Sequence, residues 1–147
     1  MEITKALHTD HVELKKLLKT ITSSEDAGEI HAAFETFATL LKKHAKAEEK
    51  VVYDALIAQK DEDLETDARE GYNEHALADA MLTKLKAGAD PLSPEWQAEA
   101  KVMKELLEHH IEEEEEDIFE DVRDSFEMDK RKEMGDQFAE LKDEIPA

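Results

Sequence analysis

Along most of this chain, apolar residues return at intervals of three and four, the spacing that lines one face of an α-helix. In the first stretch they are Leu7, Leu14, Leu17, Leu18 and Ile21. A half-buried strand needs strict alternation instead, and no segment supplies it convincingly. Helix-breaking residues are scarce, at 4 glycines and 3 prolines in 147 residues. That length suits one domain, residues 1–147, with a single core.

The punctuation divides the chain into helices. The first spans about Ile3 to Ile21 and stops at TSSEDAG. Ser24, followed at once by acidic residues, reads as the N-cap of the second. That helix carries Ile30, Phe34, Phe37, Leu41, Val52 and Leu56 inward and ends near Gln59. KDEDLETD reads as a connection or first turn, and the third helix covers roughly Leu64 to Lys86, with Leu77, Met81, Leu82 and Leu85 inward. GADPLSP ends it. Ser93 followed by Pro94 starts the fourth, a cap and then proline at the first helical position, and this helix reaches about Asp124. A shorter amphipathic segment, Asp129 to Ile145, closes the chain. The expected fold is all-α: an antiparallel up-and-down four-helix bundle over about residues 2–124, with a short C-terminal helix against one side or end.

Charge narrows the partners. The formal net charge is −20, which repels nucleic acid phosphates and anionic membrane surfaces. No apolar run reaches the roughly 18 residues of a membrane span. The N-terminus lacks a basic region followed by an apolar stretch. The chain has no cysteine, so disulfides and thiolate chemistry are excluded. These features set the expectation of a soluble cytoplasmic protein with neither nucleic acid nor membrane as partner.

Two segments then repeat one another. LLKKHAKAEEKVVYDAL (40–56) and LLEHHIEEEEEDIFEDV (106–122) share a leucine pair, a histidine (His44, His110) and a glutamate four places on (Glu48, Glu114). A second glutamate (Glu49, Glu115), a branched apolar residue (Val52, Ile118) and an aromatic one (Tyr53, Phe119) follow. Residues four apart leave one face of a helix, and the preceding leucines mark that face as inward. Carboxylates there need a compensating charge, which a bound cation supplies. A lone histidine before a glutamate is weak evidence in so acidic a chain. His31 and Glu35 have the same spacing and read as a solvated match, and most of the glutamate run 112–116 reads as a solvated face. Two matched pairs in one register, with His11 and His75 on the remaining helices, make a stronger constellation. Its mixed imidazole and carboxylate donors suit iron, manganese or zinc, and six ligands suit two metals sharing carboxylates. No histidine has a glutamate three places before it, unlike the Glu-x-x-His pairs of ferritin-like centres.

The order His, His-x-x-x-Glu, His, His-x-x-x-Glu resembles the hemerythrin-like (HHE cation-binding) family. The matching stretches are TDHVEL around His11, KHAKAEEKVVY around His44, NEHALAD around His75 and HHIEEEEEDIF around His110. The resemblance implies a non-haem di-iron centre with an oxo or hydroxo bridge. His11 and His44 would bind one iron, His75 and His110 the other, with Glu48 and Glu114 bridging. Oxygen-carrying members have a second histidine on the third helix, where this chain has Asp79. That departure leaves room for water, peroxide or a ligand such as Asp79, Glu74 or Tyr72. Glu115 in place of Glu114, or His109 paired with Glu114, would reproduce the carriers' longer spacing, and His8 stands one turn before His11. The function implied is reaction of the iron centre with dioxygen, peroxide or nitric oxide. The alternative is iron or oxygen sensing, or iron storage, without turnover.

Overall fold

The computed structural model describes residues 1–146, and among them every regular element is helical. Helix α1 spans Ile3–Ser23. Helix α2 begins as Ala27–Glu48, continues through a π-helical segment Glu49–Tyr53 and ends with Asp54–Ile57. Helix α3 is Glu62–Ala87. Helix α4 is Pro94–Glu113, a second π-helical segment Glu114–Ile118, and Phe119–Ser125. Helix α5 is Met128–Glu144. No described helix is long and apolar enough to cross a membrane.

Capping chemistry explains most boundaries. Ser93 accepts from the Trp96 N–H, with Pro94 at the first helical position, as the sequence implies. Sequence places the cap of α2 at Ser24, but the structure places it at Asp26, whose carboxylate accepts from Gly28 and Glu29. Ser24 is occupied one turn earlier, accepting from the Asp26 N–H. Helix α3 starts ahead of Leu64 because Asp61 caps it through the Asp63 and Leu64 amides. Helix α2 closes at Lys60, which takes a left-handed φ of 59°.

One inward assignment fails: Leu77 is 58% exposed. The buried stripe of α3 runs through His75, Ala78, Leu82 and Leu85, and Leu77 lies between its turns, while Met81 is half-buried. Helix α5 lies against α1 and α2. Its Arg131 donates to Glu2, the cap of α1, at 3.1 Å, so α5 also anchors the start of the chain.

The apolar interior comes in two blocks. One holds Leu14, Leu18, Phe34, Phe37, Leu82, Trp96, Met103 and Leu107. The other holds Ile3, Leu7, Val52, Tyr53, Leu56, Phe119, Val122 and Phe138. On each of the first four helices, the residues that separate the blocks are polar: His11, then His44 and Glu48, then His75, then His110 and Glu114. A polar layer therefore crosses the core.

The two π segments sit where the helices leave that layer. The Asp54 amide bonds to the Glu49 carbonyl, and the Phe119 amide to the Glu114 carbonyl, each five residues back. Each segment inserts one extra residue into a turn, a distortion common at functional sites. In an uninterrupted α-helix, Tyr53 would be rotated about 140° from Glu48. The wider turn brings it back over Glu48, which is why Val51, Val52 and Tyr53 are all buried in succession.

Candidate metal centre

The polar layer contains six ionisable side chains shut away from solvent. His11, His44, His75 and His110 are all buried, Glu48 is 0% exposed and Glu114 is 2% exposed. Each histidine points Nε2 at these carboxylates. His11 lies 3.2 Å from Glu114 and His110 lies 3.4 Å from it. His44 lies 3.5 Å from Glu48 and His75 lies 3.2 Å from it. Donor atoms of His11, His44, Glu48 and Glu114 fall within 4.8 Å of one another, and so do those of Glu48, His75, His110 and Glu114. The two groups share both glutamates.

The opposite nitrogen of every ring is held by an outer carboxylate. His11 Nδ1 meets Glu115 at 2.7 Å, His44 meets Asp10 at 2.8 Å, His75 meets Glu49 at 2.9 Å and His110 meets Glu74 at 2.6 Å. Metal-binding imidazoles are held in this way, because the outer acceptor fixes ring orientation and leaves the inner nitrogen's lone pair free. Asp10 is itself clamped by Lys142 of α5, which donates to both its oxygens at 2.8 Å. Phe138 of α5 sets its ring edge-on to His44 at 5.6 Å.

Without an ion, the layer is incompletely satisfied. His11 Nε2, Glu48 Oε2, His110 Nε2 and Glu114 Oε1 are buried with no hydrogen-bond partner. Orphaned polar atoms of this kind are costly and call for a ligand. Imidazole nitrogens and carboxylate oxygens converging here fit a divalent or trivalent transition metal. The electrostatics agree. Burial opposes charge on His44 and His110, yet hydrogen bonds to Asp10 and Glu48 push His44 up to about 9. Glu114 and Glu74 likewise push His110 up to about 10. In the metal-free layer, protons on histidine thus supply positive charge that a metal would otherwise bring.

Of the side chains with an open role, Glu115 and Glu74 are outer acceptors rather than members of either inner group. His8 is exposed and bonds Glu115 at 2.8 Å. Asp79 is exposed, and Tyr72 donates to Asp54 at 2.5 Å. His109 and Glu113 pair on the surface, as do His31 and Glu35, both 69% exposed.

Spacing assigns no role to Tyr53, Asp10 or Glu49. Tyr53 donates to Glu114 at 2.5 Å, and its hydroxyl lies 3.3 Å from Glu48 and 3.4 Å from His75 Nε2. Burial and the two carboxylates hold its phenol well above the usual tyrosine value, so it remains a proton donor. The repeated aromatic position in the two segments was the available signal, but only the π segment turns Tyr53 inward. Gly71 makes room for it: a Cβ there would lie 2.5 Å from the Tyr53 ring. Gly71→Ala should therefore destabilise the metal-free protein by about 1–3 kcal/mol through overpacking, read from denaturant unfolding.

Comparison with known proteins agrees with this geometry. A protein from Nostoc sp. named as a DNA nickase is 25% identical over 145 residues, covering 99% of this chain and 40% of that protein. The chain thus spans about two fifths of the length of the curated relative it matches. No solved structure gives a significant match. The family model of the hemerythrin HHE cation binding domain matches residues 2–122, and the chain belongs to that family.

Proposed function

We propose that this chain holds two iron ions in one buried centre that reacts with dioxygen, peroxide or nitric oxide. His11 and His44 serve one ion, His75 and His110 the other, and Glu48 and Glu114 bridge them. Helices α1 to α4 then form an antiparallel up-and-down bundle around the pair, as their short connections favour. The observation that carries this reading is the overlap of two donor groups on one pair of buried glutamates. Manganese or zinc would accept the same donors. When bound, the metal pair supplies a polarising site with exchangeable positions.

The chain's own residues prepare that site. Apolar blocks above and below exclude bulk water. The outer carboxylates Glu115, Asp10, Glu49 and Glu74 keep each Nε2 aimed inward. Tyr53 holds a proton beside the His75 and His110 group, where Asp79, being exposed, adds no further ligand. A small ligand on that side would meet a hydroxyl donor.

Iron analysis of protein expressed with iron tests the reading. Two irons per chain are expected, with a visible absorption band that shifts on adding azide or peroxide. A colourless protein whose melting temperature ignores chelation would sink it. Steady-state consumption of peroxide or nitric oxide separates turnover from sensing or storage. Asp10→Asn should keep two ions per chain but weaken binding by about 10–100-fold, because His44 loses the charge of its orienting acceptor; titration calorimetry measures this. The nickase role named for the relative fits this chain poorly, since a net charge of −20 opposes the DNA backbone.

A further inference from the structure

Among the four outer carboxylates that hold the inner histidines, Asp10 is the one bonded by a residue of α5. Lys142 donates to both its oxygens at 2.8 Å, and Asp10 holds His44 Nδ1 at 2.8 Å. Phe138 meets both ends of this chain of contacts. Lys142 Nζ lies 5.0 Å from the centre of its ring, and the His44 ring stands edge-on to it at 5.6 Å. Glu49, Glu74 and Glu115 take their ion-pair partners from α1 to α4 instead: Lys46 and His75, His110, and His8 with His11. His44 is therefore covered from a fifth helix, whereas the other three rings are supported within the bundle.

That helix is lightly held. Of its 17 residues, Met134, Gly135 and Phe138 are buried. It follows the residues 2–122 that carry the family's pattern. Its second anchor is the start of α1. Arg131 donates to Glu2 at 3.1 Å and to the Phe126 carbonyl at 2.7 Å. Gly135 lies so close to Met1 that a Cβ there would strike the Met1 carbonyl. An element with few buried side chains opens locally before the body of its domain does. When α5 lifts, Phe138 and Lys142 leave together and His44 meets water, while α1 to α4 keep their own contacts.

We propose that α5 is a detachable wall of the metal centre, and that its opening sets how fast the ion at His11 and His44 enters and leaves. The inference rests on the two-ion centre proposed above. His44 is 3% exposed with α5 in place, so exchange at that ion waits for the wall to open. The release rate then follows the population of the open form, which the remote anchors Arg131 and Gly135 control. The ion at His75 and His110 stands behind α2, α3 and α4 and leaves by its own route, independent of α5.

The test loads the full chain with Co²⁺, mixes it with excess chelator in stopped flow and follows the loss of cobalt's visible ligand-field band. Two release phases are expected, one per ion. Arg131→Met and Gly135→Ala loosen α5 at positions that touch no metal donor. Each should speed one phase by about tenfold and leave the other at the wild-type rate. Hydrogen exchange of the α5 amides should rise by the same factor. Met103→Ala, in the apolar block away from α5, lowers global stability and should leave both phases unchanged. Wild-type release from variants whose α5 amides exchange faster overturns the wall and leaves the centre standing. So does a single phase carrying both ions, equal acceleration of both phases, or faster release in Met103→Ala. A wild-type chain that takes up no cobalt overturns both.

Discussion

Protein carrying Glu48→Gln should bind both metal ions more weakly by about 3–5 kcal/mol, roughly a hundredfold to several thousandfold. Glu48 is 0% exposed and belongs to both donor groups, so in the proposed centre its charge would serve both ions. Glutamine keeps the volume and removes the charge, which isolates electrostatics from packing. His44 and His75 both lose the charge of their inner partner, at 3.5 and 3.2 Å. The helices persist because the apolar blocks on either side are untouched. His31→Ala, at an exposed pair with the same spacing, should leave affinity unchanged. Anaerobic titration with ferrous iron checks both variants. Retention of one tight ion by Glu48→Gln would show that this carboxylate does not bridge.

Stripping the metal should lower the melting temperature by roughly 10–20 °C at neutral pH. Each ion held at a hundred times its Kd adds about 2.7 kcal/mol, and 1 kcal/mol moves a domain of this size by about 2–4 °C. The size of the drop should depend on pH. His44 at about 9 and His110 at about 10 are raised from 6.5, so the folded metal-free chain holds protons that the unfolded chain releases. Their stabilisation is complete below about 6.5 and is lost as pH rises through 9 and 10. On the acid side, burial opposes charge on Glu114, but its contacts with Glu48, His11 and His110 hold it well below 4.5. That contribution is lost as pH falls. Metal must displace the histidine protons, so its affinity rises from pH 7 to 10 while the metal-free fold weakens. Calorimetric melting of loaded and stripped protein should therefore show a gap that widens over this range. A constant or narrowing gap would count against the metal replacing those protons.

The helices and the inward register of His44, Glu48, His110 and Glu114 are written in the leucine spacing. Ser93 and Pro94 likewise announce the start of α4. What spacing does not carry is the register shift after Glu48 and Glu114. A π turn arises from the sum of packing on both sides of the layer, and a constant step of 3.6 residues cannot express it. Tyr53 escapes notice for that reason. Asp10 and Glu49 escape for another, and Glu74 is read as a ligand and not as a support: each holds a histidine on a different helix, so the pairing exists only in three dimensions. Leu77 shows the converse error, since a leucine beside a true stripe looks inward until the stripe's phase is known.

Among the differences between the repeated segments, one has consequences for the halves they build. Where the first segment has Tyr53, the second has Phe119. The His75 ring lies 5.2 Å from the tyrosine ring, and its Nε2 is within reach of that hydroxyl. The His11 ring stacks on Phe119 at 6.1 Å, with no oxygen in the corresponding place. A duplicated design has thus become lopsided. Two ions lodged in the proposed centre would occupy chemically distinct berths, one beside a hydroxyl and one beside a bare ring, which spectroscopy would tell apart.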